Sequence, residues 1–185
     1  VQSGKITEAD VDARLDELLT LVLDTHAAVE RHSRSFDAAA HHALARRAAA
    51  ESTVLLKNDD ALLPLAEGTK VAVIGDFAET PRYQGAGSSA VNSIQVDSLL
   101  GCIEASGLRQ VGYAAGFDRQ GKPDAAQKAE AVALAAKADV VLLCLGLDEI
   151  KESEGLDRRD MKLADNQIEL LQAVQAANSN VVVLL

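Results

Sequence analysis

The sequence predicts an α/β protein: a partial doubly wound, mainly parallel sheet with helices on both faces, that is, a three-layer α/β sandwich. Two observations carry this. Short apolar runs closed by glycine, "KVAVIG" at 70–75 and "VVLLCLG" at 140–146, read as strands buried on both faces. Ala-rich stretches of helical period lie between such runs, and strands that alternate with helices pair in parallel. The core must be made from Ala, Val and Leu, because apolar residues are 48% of the 185 while aromatics are 3% and Trp is absent.

The elements come in this order. "ITEADVDARLDELLTLVLDTH" is a helix with Thr7 as N-cap, acidic residues in its first turn, and Val11, Leu15, Leu18, Leu19 and Val22 at helical spacing. "RHSRSFD", 31–37, is polar linker text. A second, Ala-rich helix is expected over roughly 37–51, followed by turn text "KNDD" and by Pro64, which ends whatever precedes it. After the 70–75 strand comes a long loop, "FAETPRYQGAGSSAVNS", then a helix over about 95–106 that stops at Gly107. "RQVGYAAG" is a weaker strand candidate, 124–138 an amphipathic helix, 140–147 the strongest strand, "LADNQIELLQAVQAAN" a helix, and 181–185 a last strand beside the 140–146 strand. A chain that stops inside a buried strand is expected to be a segment of a longer protein.

Several classes of function are excluded by composition. A net charge of −10 opposes nucleic acid or an anionic membrane as partner. No apolar run approaches the ~20 residues that span a bilayer. No signal-peptide pattern is present, and a cytoplasmic location is expected. Cys102 and Cys144 both sit in apolar text and read as buried free thiols. The four His, including the adjacent His41 and His42, lie far from any Cys and form no zinc spacing, so no metal site is expected.

Two loops carry candidate chemistry. "GAGSS" at 85–89 follows a strand but lacks both the G-x-G-x-x-G register and the G-K-[ST] ending, so a phosphate cradle is disfavoured. A tight surface turn and a binding loop remain. Arg82, Tyr83, Gln84 and Ser88 would supply donors and a ring face to a ligand rich in hydroxyls, at the carboxyl end of a strand where open α/β sheets place ligands. "DEIKESEGLDRRDM", 148–161, leaves the strongest strand with Asp148, Glu149, Glu152, Glu154 and Asp157 close together. Composition alone reads this as a solvated charged loop, braced by Asp157 on Arg158 or Arg159. Crowding by other carboxylates would raise a carboxyl's proton affinity, as a general acid near neutral pH requires.

Four segments together resemble the C-terminal α/β domain of glycoside hydrolase family 3. They are "AAAESTVLLKNDDALLPL" (48–65), "KVAVIGDFA" (70–78) with "RYQGAGSSAVN" (82–92), "VVLLCLGLDEIKESEGLDRRDMKL" (140–163) and "DNQIELLQAVQAANSNVVVLL" (165–185). The helix "ITEADVDARLDELLTLVLD" is similar to the one that closes the family's N-terminal barrel. The resemblance implies two parts: 1–36, the last helix of a TIM-barrel domain and a linker, and 37–185, the α/β domain truncated at its C-terminal end. It implies a retaining β-glycosidase of β-glucosidase or β-xylosidase type, acting on terminal non-reducing sugars of oligosaccharides or aryl and alkyl β-glycosides. In the family an Asp nucleophile sits on the barrel in an Asp-Trp type motif. This chain, without Trp, has no such motif, and it is expected to be inactive without a barrel in cis. The acid/base Glu of the family's E-G-x-D-R loop falls on Glu154, with Glu152 as runner-up. Arg82, Gly87 and Ser88 become candidate sugar contacts, and Gly155, Asp157 and Arg158 shape the loop. No metal or organic cofactor is implied. Leu163-Ala164 stands where the family often has Leu-Pro, which loses a preset φ but no chemistry. The choice of sugar rests in this family mainly on barrel loops. The alternative, from another class, is a non-catalytic α/β module that binds a small molecule or nucleotide.

Overall fold

The computed structural model describes residues 1–32 and 35–185, so Ser33 and Arg34 of the expected 31–37 linker lie outside the described residues. The chain forms two compact units, Val1–Val54 and Leu55–Leu185. The first unit is helical. Helix α1 (Glu8–Arg31) starts at a capping box: Asp10 N–H donates to Thr7 Oγ1 at 3.1 Å, and Thr7 N–H donates to Asp10 Oδ2 at 2.8 Å. Helix α2 (Ala38–Ser52) starts at Asp37, whose carboxylate accepts from Ala40 N–H at 2.9 Å. Neither helix buries a residue. The five apolar residues recognised at helical spacing on α1 are 44–56% exposed.

The second unit holds a four-stranded sheet: β1 (Lys70–Ile74), β2 (Arg109–Ala114), β3 (Val140–Cys144) and β4 (Val181–Leu184), in the order β2-β1-β3-β4. Every pairing is parallel, with Val73 opposite Tyr113 and Leu142, and Leu142 opposite Val182. The expected neighbours, 71–75 with 140–146 and 140–146 with 181–185, are therefore paired. The helix expected over 95–106 does not form as one piece. Only α3 (Leu99–Cys102) is α-helical, capped by Ser98 on Gly101 N–H at 3.0 Å, and a 3-10 turn (Glu104–Ser106) carries it to Gly107 at φ 78°. Residues 95–98 stay out because the cap lies at Ser98, and Gly101, inside the single α-helical turn, weakens its continuation. Helices α4 (Ala125–Ala135) and α5 (Asp165–Ala177) match the sequence reading closely.

The side-chain period of two divides each central strand between two cores. Ala72, Ile74, Val141 and Leu143 face α4 and α5, where Ala131, Ala135, Leu170 and Val174 are fully buried. Val71, Val73, Val140, Leu142 and Cys144 face the other way, onto Leu99, Leu100 and Ile103. Helical segments thus cover both faces. Burial pushes the Cys144 thiol up to about 11, so it packs as an inert apolar group; Cys102, expected to be buried, is only half-buried. Gly75, at φ 112°, brings the end of β1 against β3: a Cβ there would meet Cys144 O at 2.1 Å. No helix among the described residues is long and apolar enough to cross a membrane.

Candidate active site

The chain turns from β1 outward to β2, then crosses back over to β3 on the other side of β1. The switch in direction opens a crevice at the carboxyl ends of β1 and β3, where doubly wound sheets bind ligands. The two loops singled out in the sequence leave from those two ends, 75–98 after β1 and 145–164 after β3.

Each loop is anchored before it reaches the crevice. Gln167, 2% exposed on α5, holds Gly146 at two points: its Nε2 donates to Gly146 O at 2.8 Å and its Oε1 accepts from Gly146 N–H at 3.0 Å. Asp148, also buried, accepts from Lys151 N–H at 2.8 Å and closes the next turn. Arg119 ties the first loop to the second. Its guanidinium pairs with Asp76, donates to Thr80 O, lies 4.3 Å from the centre of the Phe77 ring, and comes to 4.0 Å from Glu149. Sequence reading missed Arg119, Asp76 and Gln167. Gln167 left a signal, since an amide at the i, i+3, i+7 spacing of Gln167, Leu170 and Val174 is a polar group on an apolar stripe. Arg119 and Asp76 left none, being 43 positions apart.

The sequence-predicted residues meet in this crevice. Arg82 donates to the Glu152 carboxylate at 2.8 Å, to Glu152 O at 2.8 Å and to Leu147 O at 3.3 Å. Glu152 is therefore neutralised by an arginine whose side chain is only 14% exposed. Asp157 makes no ion pair with Arg158 or Arg159 among the described residues; the brace expected of it comes instead from Arg82 on Glu152. Gly155 does take the left-handed conformation the loop needs, at φ 80°.

Glu154 is exposed and is met by three consecutive residues of the other loop. Its N–H donates to Ala86 O at 3.1 Å. Its Oε2 accepts from Ser88 N–H at 2.8 Å and from the Ser88 hydroxyl. Gly87, at φ 106°, fits between them only because it lacks a Cβ, which would stand 2.7 Å from Glu154 Cβ. The hydroxyl of Ser88, then its N–H, hold the Glu154 carboxyl below the usual glutamate range. This reverses the expectation that crowding raises its proton affinity: Glu152 is already paired, and donors rather than like charges surround Glu154. The same contacts put a carboxylate of the protein on the donors of "GAGSS" that a phosphate would need. An open cleft of about 760 Å³ runs between the loops, lined by Arg82, Tyr83, Gln84, Gly85, Ala86, Glu152, Ser153, Glu154, Leu156, Asp157 and Arg158. What this arrangement offers chemically is an exposed carboxylate, that of Glu154, held by hydrogen bonds and facing space for a polar ligand.

An α/β sandwich with such a carboxylate loop at its switch point is the class of carbohydrate-processing domain that the resemblance implied. The profile of the glycosyl hydrolase family 3 C-terminal domain matches residues 53–185, and the chain belongs to this family. It is 45% identical to an exo-α-(1→6)-L-arabinopyranosidase of Bifidobacterium breve, over all of this chain and 26% of that protein. It is 38% identical to the thermostable β-glucosidase B of Acetivibrio thermocellus, again over all of this chain and 25% of that protein. The crystal structure of a family 3 β-glucosidase from Bifidobacterium adolescentis superposes with a TM-score of 0.85 at 44% identity, covering 98% of this chain and 27% of that one. The chain thus spans about a quarter of the length of these relatives, which are glycoside hydrolases.

Proposed function

We propose that this chain is the acid/base-bearing part of a retaining, exo-acting β-glycosidase. It would work with a barrel domain in cis that carries the nucleophile. The substrate would be an oligosaccharide or an aryl or alkyl β-glycoside with a terminal non-reducing sugar. Arg82, Gly87 and Ser88 would border the sugar, with Gly155, Asp157 and Arg158 shaping the loop. No cofactor takes part, and the compartment proposed is the cytoplasm.

The observation that carries this reading is the contrast between two glutamates two positions apart. Glu152 is paired with the Arg82 guanidinium, whereas Glu154 borders the same cleft with hydrogen-bond donors but no cationic partner among the described residues. Glu154 would protonate the glycosidic oxygen, then take a proton from the water that attacks the glycosyl–enzyme. As held here it is the carboxylate, the form that serves the second step. A nucleophile carboxylate about 5–5.5 Å away would raise its proton affinity for the first step, and that charge disappears once the nucleophile is glycosylated.

The test is Glu154→Ala in the enzyme carrying a barrel. Hydrolysis of glycosides with poor leaving groups should fall by about 10²–10⁴. A dinitrophenyl glycoside should still form the glycosyl–enzyme, and azide should then restore turnover. Glu152→Ala should show neither effect. Azide rescue of Glu152→Ala alone would move the role to Glu152, and full activity of both variants would remove the loop from catalysis. The 185-residue chain by itself should release no p-nitrophenol from aryl β-glycosides above a Glu154→Ala control.

A further inference from the structure

A carboxylate on an exposed loop next to glycine has three rotatable side-chain bonds and no reason to keep one direction. Glu154 is not in that state. Ser88 N–H and Ser88 Oγ both reach Oε2, the first at 2.8 Å, while the glutamate's own N–H is fixed on Ala86 O. Oε1 has no hydrogen-bond partner among the described residues, so the two oxygens of one carboxyl are made unequal. We propose that Ser88 is the positioning residue of the acid/base glutamate: it pins Oε2 in both half-reactions and leaves Oε1 as the oxygen that exchanges the proton. This rests on the assignment of the acid/base role to Glu154.

The asymmetry comes from the chemistry of the groups. Toward the carboxylate, both Ser88 groups donate to Oε2. When Oε1 carries the proton, Oε2 is the carbonyl oxygen of the acid and still accepts from both, though more weakly than the charged form, so the side chain keeps one position through both steps. Gly87 makes the approach possible, because any Cβ there would collide with Glu154. The other charged groups bordering the cleft are Glu152, already paired with Arg82, and Asp157 and Arg158 on Glu154's own loop. The downward displacement of the Glu154 proton affinity has the Ser88 hydroxyl as its largest cause and the Ser88 N–H as its second. A serine serving only as a sugar contact would leave both the Glu154 titration and the choice of oxygen untouched.

The experiment begins with the 185-residue chain, following the Glu154 carboxyl carbon by NMR across pH, with amide spectra confirming the fold of each variant. Wild type should titrate below the ordinary glutamate range. Ser88→Ala should titrate higher, and Ser88→Thr, which keeps hydroxyl and N–H, should stay with wild type. In the barrel-bearing enzyme Ser88→Ala should lose roughly 10-fold or more in kcat on poor leaving groups, with KM nearly unchanged. The basic limb of its kcat/KM profile should move to higher pH, and Ser88→Thr should recover most of the loss. A Glu154 titration that does not move in Ser88→Ala overturns the inference while the acid/base reading stands, as does a variant whose KM alone rises. If the titration moves but Glu154→Ala keeps full turnover of poor leaving groups, the acid/base reading fails and this inference falls with it.

Discussion

The helices of the first unit and the sheet of the second teach opposite lessons about what makes an element stable. Helix α1 has nearly every local device: a capping box, acidic residues in its first turn, Arg31 in its last, and apolar residues at helical period. Yet none of its residues is buried. Strands β1 and β3 have five residues each and few local signals, but Val71, Ala72, Val73, Ile74, Val141 and Leu143 are fully buried. Local chemistry decides which conformation a segment takes. Burial from both sides decides how much it contributes to holding the fold together.

The sharpest way to break this contrast is at Gly75. Alanine would put a Cβ 2.1 Å from Cys144 O, and the φ of 112° is poor for any L side chain. Gly75→Ala should abolish the cooperative urea transition of the sheet; a normal transition would show that the two strands can separate cheaply. Next comes a matched pair of truncations. Leu170→Ala removes a 0% exposed side chain between α5 and the sheet and should cost about 2–5 kcal/mol. Leu18→Ala, on a residue 56% exposed, should stay within about 0.5 kcal/mol. Equal costs by urea titration would erase the distinction. Between these two in size, Thr7→Ala removes half of the capping box and should cost about 1 kcal/mol, seen as faster amide exchange in the first turn of α1 with no change in β1 or β3.

The smallest effect concerns pH. The folded Glu154 has a lowered proton affinity, so its link to Ser88 contributes fully above the ordinary glutamate pKa of about 4.3. The contribution is lost as pH falls through the lowered value. Protection factors of the amides at 86–89, with the intrinsic pH dependence of exchange divided out, should therefore fall on acidification in that window, while those of β3 stay high. Loosening as pH rises instead would contradict the sign.

The sheet was legible because both central strands are apolar on both faces, so the runs "VAVI" and "VVLLC" stand out without any need for periodicity. The single helix expected over 95–106 failed because a short helical period says nothing about where a cap falls, and Ser98 begins the helix late. At the site, Glu154, Glu152, Arg82, Gly87 and Ser88 were all marked in the sequence, as pieces of two separate loops. What could not be read was who meets whom. Arg82 and Ser88 were marked only as ligand contacts, and no local pattern announced that Arg82 also clamps Glu152 or that Ser88 sits on Glu154. Such pairings are fixed by the crossover between β1 and β3, which no local pattern encodes.

The distance along the chain between Ser88 and Glu154 has a kinetic meaning. They are 66 positions apart, and the strands that bring them together are parallel, joined through a crossover. Loop-closure entropy disfavours such an encounter until something else has already paired. Two hydrogen bonds at an exposed carboxylate are too weak to gather the chain, so β1 and β3 must be in register first. The clasp thus assembles after β1 and β3 have paired, and it exists only in chains in which those two strands are in register. A partly folded molecule would display both loops, with every residue of the site present in sequence, and still have no site.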